Sequence, residues 1–555
     1  MEKISDIFGD TAFDRAEQND TLPSFAATNS PSDEAGNDLF ASPGSNNNSR
    51  GGEGNDILNG TDNNDFLNGG NGSDFLNGKD GKDFLNGGNG NDTLNGGNGG
   101  DILNGKDGSD LLSGGSDNDF LNGGDGDDTG IGGLGNDTVI GGDGNDLLVG
   151  GGGVKLIGLT DSNTLVSFDP DRPNQATTIS VKGVNGKLIG IDLRPANGLL
   201  YGVTDTNKIY IIDPTTGNAT SEQNISPIPF NAGFQSGVDF NPVPDLLRLV
   251  GANDQNLRVN VNTGAVQDGD TLTAGIQPDR NLAFAANDSN AGKDPNISAA
   301  AYTNSFAPSP ASRRTTLYNI DSKLDILTRQ GGLNFLASDP NSGPSPNTGQ
   351  QFTIGSLGVD FADKVGFDIF SPVAAVNIAY AVSNSTLYSI NLATGAATSL
   401  GTIGNGSLNF VGFAALNVTE PAGSDKDILS GGSGNDTLIG GTGNDILFGG
   451  AGNDSMSFTS PADGIDTLTD FSVASDTILV SASGFGGGLA AGSTVSIDQF
   501  AIGSSALDAS DRFIYDNKTG ALAFDVDGSG ASAQVLIAKL SPGLALTNNN
   551  IFVVA

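Results

Sequence analysis

The sequence predicts an all-β fold: two parallel β-rolls flanking a β-propeller, followed by a β-rich C-terminal domain. Two repeat patterns carry this reading. A strict nine-residue period, with one large apolar residue per unit, runs from Gly51 to Val149 and returns from Ala422 to Ser457. Between them, a more apolar section repeats loosely at the forty-odd-residue spacing of propeller blades. With 555 residues the chain is long enough for several domains.

Composition narrows the function classes. The formal net charge is −40, which argues against nucleic acid, whose phosphates need Lys and Arg, and against anionic membranes. It suits a protein that carries inorganic cations. Cys and His are both absent, so no disulfide framework, thiolate site, His-ligated zinc centre or Ser-His-Asp triad can exist in this chain. No apolar run is long enough to span a membrane, and the first fifty residues have no apolar core of a secretory leader.

The first array begins GGEGNDILN, GTDNNDFLN, GGNGSDFLN, GKDGKDFLN and continues to eleven units. Every unit has Gly at the first place and Asp at the sixth; all but one have Leu or Val at the eighth. Glycines permit a tight turn with inward carbonyls. The sixth-place carboxylate completes the all-oxygen surroundings that calcium prefers. The next residues form a short strand whose eighth side chain faces inward, so two units make one coil and coils stack as a roll. A disordered Gly-Asn-Asp linker would not hold fifteen aspartates in phase.

This pattern resembles the calcium-binding nonapeptide of the RTX, or haemolysin-type, family. The resemblance implies calcium as cofactor, with each ion between repeats i and i+2, about nine sites in the first array and about two in the second. It assigns the metal to Asp56, Asp65, Asp74, Asp83, Asp92, Asp101, Asp110, Asp119, Asp128, Asp137 and Asp146, then to Asp427, Asp436, Asp445 and Asp454.

Some units depart from the pattern. Asn63 and Asp117 replace the fourth-place Gly, and both residue types tolerate left-handed backbone. Gly130, at the eighth place, is expected to leave a hole in the core and weaken the nearest site. Phe66, Phe84, Ile102 and Phe120 recur at the outward seventh place of alternate units. They would stack as an apolar stripe, either a docking surface or a face packed against the neighbouring domain.

The middle section repeats one phrase: GKLIGIDLRPANGLLYGV from Gly186, GVDFNPVPDLLRLVGA from Gly237 and GVDFADKVGFDIF from Gly358. Each reads as strand, turn, strand, turn, strand, then a TG turn and a further strand. A weaker copy spans residues 281–331. The section opens mid-phrase and ends with the missing strand, LNFVGFAAL, so one blade is closed from both ends and the propeller has five blades. It resembles an uncharacterised family of bacterial secreted domains, which implies no activity.

Glycosidase chemistry needs a carboxylate pair, yet the section holds a single Glu, Glu222. Asp192, Asp239 and Asp360 share one place in G-[IV]-D-[FL] on the expected innermost strands, with Ala283 and Ala414 as counterparts. They form a candidate channel site: three carboxylates at the axis need a cation, donors or a raised pKa. The alternative is that each accepts hydrogen bonds from a neighbouring blade's backbone.

The domains expected are a disordered tail (1–50), a roll (51–153), a propeller (154–418), a short second roll (419–457) and an end-domain (458–555). The last resembles RTX end-domains, which implies a C-terminal signal ending in NNNIFVVA and a type I secretion exporter as partner. The reading is a secreted, extracellular calcium-binding protein whose propeller is a binding, adhesive or scaffold module for a cell-surface, matrix or glycan ligand. A carboxylate- or metal-dependent hydrolase or lyase acting on a carbohydrate or lactone is the alternative.

Overall fold

The computed structural model describes residues 39–41, 48–151, 153–170, 173–269, 275–305, 313–339, 341–371, 377–418 and 426–554. They form two compact units. The first holds the described residues up to Gly150 together with Lys426–Ile439 and Leu447–Ser455; the second holds the rest.

The first unit is a parallel roll. Phe66–Asn71 pairs with Phe84–Asn89, which pairs with Ile102–Asp107, then Phe120–Asp125 and Thr138–Asp143, always 18 residues apart. The intervening strands build a second sheet in the same register. One coil is therefore two nonapeptides. The eighth-place side chains Leu58, Leu67, Leu76, Leu85, Leu94, Leu103, Leu112 and Leu121 are all buried between the sheets, because strand alternation turns every second side chain inward.

The two arrays, read from the sequence as flanking rolls, join. Thr138–Asp143 pairs with Ile428–Ser433, and Leu147 and Leu148 lie beside Thr437 and Leu438. Both arrays thus supply successive coils of one roll, and the chain leaves it after Gly150 and re-enters near Lys426. The roll also begins earlier than Gly51. Within the expected tail, Leu39–Ala41 and Asn48–Arg50 are strand residues that pair with Ile57–Asn59 and Phe66–Asn68; residues 1–38 and 42–47 lie outside the described residues.

Gly130 leaves no hole. A methyl group there would lie 2.5 Å from Val139 Cγ1, so the valine of the neighbouring unit fills the space. Asp117 takes the left-handed conformation (φ 78°), whereas Asn63 does not. On the outer face, Phe66 and Phe84 stack with ring centroids 5.1 Å apart, and Ile102 beside them is 40% exposed.

In the second unit, five sheets form the propeller, antiparallel apart from one short edge strand of the third. Their innermost strands are Leu188–Arg194, Ser236–Asn241, Ile297–Tyr302, Gly366–Phe370 and Phe410–Val418, packed side by side in that order, with the last against the first. The fifth blade is closed from both ends: Gly153–Thr160 pairs with Phe410–Val418, aligning Gly153 with Val418. The propeller's two chain ends therefore emerge together. The third blade corrects the reading of Ala283, which sits on a short parallel strand at the opposite edge of its sheet; the inner strand is Ile297–Tyr302.

The C-terminal segment is β-rich as expected. Thr477–Ser481 pairs with the final strand Ile551–Val554, and Asp466–Leu468 pairs with Val535–Lys539, which in turn pairs antiparallel with Ala521–Phe524.

Candidate metal centre

Each turn of the roll places a carboxylate beside a glycine and a carbonyl from the next coil. A methyl group on Gly69 would lie 2.2 Å from Asp74 Oδ2 and 2.7 Å from the Gly87 carbonyl oxygen; on Gly123, 2.1 Å from Asp128 Oδ2 and 2.7 Å from the Gly141 oxygen. Only glycine leaves this cradle open. The other oxygen of each carboxylate has a fixed task. The Asp74 amide donates to Asp92 Oδ1, Asp92 to Asp110, and Asp110 to Asp128, each at 2.8 Å.

That division of labour leaves one oxygen over. Oδ2 of Asp74, Asp83, Asp92, Asp110, Asp119, Asp128, Asp146 and Asp436 is buried and accepts no hydrogen bond. Such a group is costly unless a cation meets it. Without an ion, burial pushes the carboxyls up, to about 6 at Asp74 and Asp110, about 7 at Asp92, Asp128 and Asp146, and about 9 at Asp119. A hard divalent cation fits an aspartate oxygen converging with a backbone carbonyl. Asp56, Asp65, Asp101, Asp137, Asp427, Asp445 and Asp454 occupy the same place and are equally buried. At Asp65 the pattern changes, because the Thr61 amide and hydroxyl donate to its Oδ2.

The propeller axis carries the second cluster. Asp192, Asp239 and Asp368 each offer an oxygen lying within 4.8 Å of the others', and all three are at most 5% exposed. Asp360 is not among them. It is exposed, in the loop before the inner strand, and a methyl on its partner Gly358 would touch nothing. The same blade contains G-x-D twice, as GVDF and GFDI, and only Gly366 faces its neighbour closely: a methyl there would lie 2.7 Å from Phe413 Cβ. Hairpin spacing was the available signal. Asp192 and Asp239 each stand seven residues before the second strand of their blade and Asp368 stands ten before its own, but Asp360 stands eighteen before it.

Convergence and hydrogen bonding occur together at this axis. Asp192 accepts from the Leu193 amide at 2.6 Å and the Phe240 amide at 2.6 Å. Asp239 accepts from Tyr302 at 3.2 Å. Asp368 accepts from Ile369 at 2.7 Å and Ala415 at 2.6 Å. These are the amides that follow the Asp position in all five blades, so Ala301 and Ala414 are the two counterparts. Three carboxylates satisfy five inward amides that no sixth strand could pair. No Lys or Arg forms an ion pair with them among the described residues. Burial, then the neighbouring carboxylates, holds Asp192 and Asp239 well above the usual carboxylate range, and burial raises Asp368 to about 6. The contact between the two side chains raises Asp239 further and lowers Asp368.

Sequence reading also passed over a buried ion cluster. Arg248, 1% exposed, donates to Asp279 Oδ2, Asn256 Oδ1 and Asn347 Oδ1, each at 2.7 Å, and Arg258 grips the same Asp279 through both its oxygens. These bonds tie the second and third blades.

Compared with known proteins, residues 164–414 match a family described as a domain of unknown function, DUF4394. The RTX calcium-binding nonapeptide repeat family matches residues 44–76, 68–103, 95–130, 104–139, 122–154 and 421–456. No curated protein matches. Among solved structures, 46% of the chain is similar to 44% of dihydro-heme d1 dehydrogenase NirN in complex with DHE, at 13% identity and a TM-score of 0.22. A structural genomics protein of unknown function from Bacteroides thetaiotaomicron matches 46% of the chain over 63% of its own, at 15% identity and a TM-score of 0.27. The chain spans less than two thirds of either.

Proposed function

We propose that this chain, which carries RTX calcium-binding repeats and a central DUF4394 propeller, is an extracellular protein whose roll folds on calcium and whose propeller is a binding, adhesive or scaffold module. The observation that carries the calcium reading is the row of buried Oδ2 atoms facing carbonyl oxygens in cradles that only glycine leaves open. Extracellular modules bind calcium at about 10⁻⁴–10⁻³ M, so the roll would stay loose in the cell and set outside it.

Export through a type I exporter that reads the C-terminal segment fits this order of events. Ile551 and Val553 are buried in the folded end-domain, so an exporter must meet that signal before the chain folds. Hydrolysis at the axis is disfavoured, because all three carboxylates are engaged by backbone amides and the adjoining cavity is about 10 Å³, room for about one water. Deleting residues 496–555 tests export: the truncated chain should remain in the cell, and unchanged release would refute the C-terminal route. An ordered roll in chelator, with no calcium uptake on titration, would refute the calcium reading.

A further inference from the structure

We infer that one calcium site of the roll is built from both sides of the propeller, and that the ion there clasps the ends of the inserted segment. A methyl group on Gly141 would lie 2.1 Å from Asp146 Oδ2 and 2.7 Å from the carbonyl oxygen of Gly431. Asp146 belongs to the first array and Gly431 to the second, with the whole propeller between them in sequence. The geometry reproduces the site one coil earlier, where Asp128 Oδ2 and the Gly141 oxygen stand at 2.1 and 2.7 Å from the equivalent point. It also reproduces the site one coil later, with Asp436 Oδ2 at 2.2 Å and the Gly449 oxygen at 2.6 Å.

The surroundings are equally continuous. The Thr437 amide donates to the Asp146 carbonyl at 2.8 Å and the Gly144 amide to the Ser433 carbonyl at 2.7 Å. The Asp146 amide donates to Asp436 Oδ1 at 2.9 Å, and the Asn435 amide to Asn145 Oδ1 at 3.1 Å. Partners normally 18 residues apart are here 290 apart, so the excursion adds 290 − 18 = 272 residues without a slip in register. Asp146 Oδ2 is buried and accepts no hydrogen bond. An ion shared by this oxygen and the Gly431 carbonyl neutralises the one and ties it to the other. Calcium therefore acts as a clasp between the two arrays, beyond the closure that pairing of Gly153 with Val418 already gives the propeller.

This rests on the calcium reading above, and the test separates the two. A protease site is placed within residues 419–425 of the full chain, and the purified protein is cut once there. In millimolar calcium the two pieces should elute as one species in size exclusion, and in chelator they should separate. Asp146→Asn keeps the Oδ1 acceptor for the Asp128 amide but loses charge at the seam. It should raise the calcium concentration needed to hold the pieces together by about tenfold or more, as should Gly141→Ala, which fills the cradle. Asp74→Asn, deep in the first array, should shift it far less. Pieces that separate in calcium, pieces that stay joined in chelator, or equal shifts for Asp146→Asn and Asp74→Asn would each overturn the clasp. Equilibrium dialysis on the uncut chain reports the calcium reading independently: absence of bound calcium would refute that reading itself.

Discussion

The amide of Asp146 donates to the carboxylate of Asp436 at 2.9 Å, although 290 residues separate them. The same bond links Asp128 to Asp146 within one array at 2.9 Å. The roll is therefore indifferent to where its next coil comes from, provided that the strand register is kept. A propeller whose ends emerge together, Gly153 beside Val418, is the kind of insertion such a register can accept.

Filling position 130 should harm the roll. The repeat pattern suggests Leu there, but Val139 already occupies the space. Gly130→Leu should lower stability by about 1–3 kcal/mol through overpacking, whereas Leu103→Ala should cost about 2–5 kcal/mol by opening a cavity at a fully buried site. Guanidinium unfolding in saturating calcium measures both. A gain from Gly130→Leu would contradict the packing described.

Removing the Asp368 side chain should destabilise the propeller, because the Ile369 and Ala415 amides lose their acceptor. An unsatisfied buried amide costs about 1–3 kcal/mol. Asp360→Ala, at an exposed loop position, should stay within about 0.5 kcal/mol of the parent. Denaturant midpoints that ranked these two variants the other way would reverse the assignment.

The axial cluster sets a pH dependence opposite to that of paired surface carboxylates. Its folded pKa values lie above the unfolded value of 3.8, at about 6 for Asp368 and well above 3.8 for Asp192 and Asp239. The folded state then binds more protons, so this stability is full below the unfolded value and is lost as pH rises through the folded ones. In chelator, the propeller's melting temperature should fall between about pH 4.5 and pH 7.5. Six of the seven tyrosines lie in the propeller, so near-ultraviolet circular dichroism follows it. Asp239→Asn can donate to Asp368 but carries no titrating proton; it should flatten the slope and raise the melting temperature at the upper pH. An unchanged slope would sink this account.

Much of this was legible in the letters, for physical reasons. The nonapeptide fixes turn, strand and cradle within nine residues, so Asp74 or Asp128 could be placed without a structure. The joining of the arrays could not, since pairing of Thr138 with Ile428 depends on where the propeller returns the chain. Asp192 and Asp239 were readable because glycine, aspartate and hairpin spacing agree. Asp368 was missed because GVDF and GFDI stand eight residues apart and the better letter match is the exposed one. The third blade lacks the aspartate altogether, so Ala301 offered no mark. Sharing three carboxylates among five amides is a property of the closed ring, which no single blade encodes.

The most direct test of the central claim is a calcium titration of the full chain, with far-ultraviolet circular dichroism and equilibrium dialysis run on the same sample. The account predicts uptake on the order of ten ions, accompanied by a gain of β signal and complete by about millimolar calcium. A chain that already has its full β signal in chelator, and takes up no calcium as the ion is added, would contradict it.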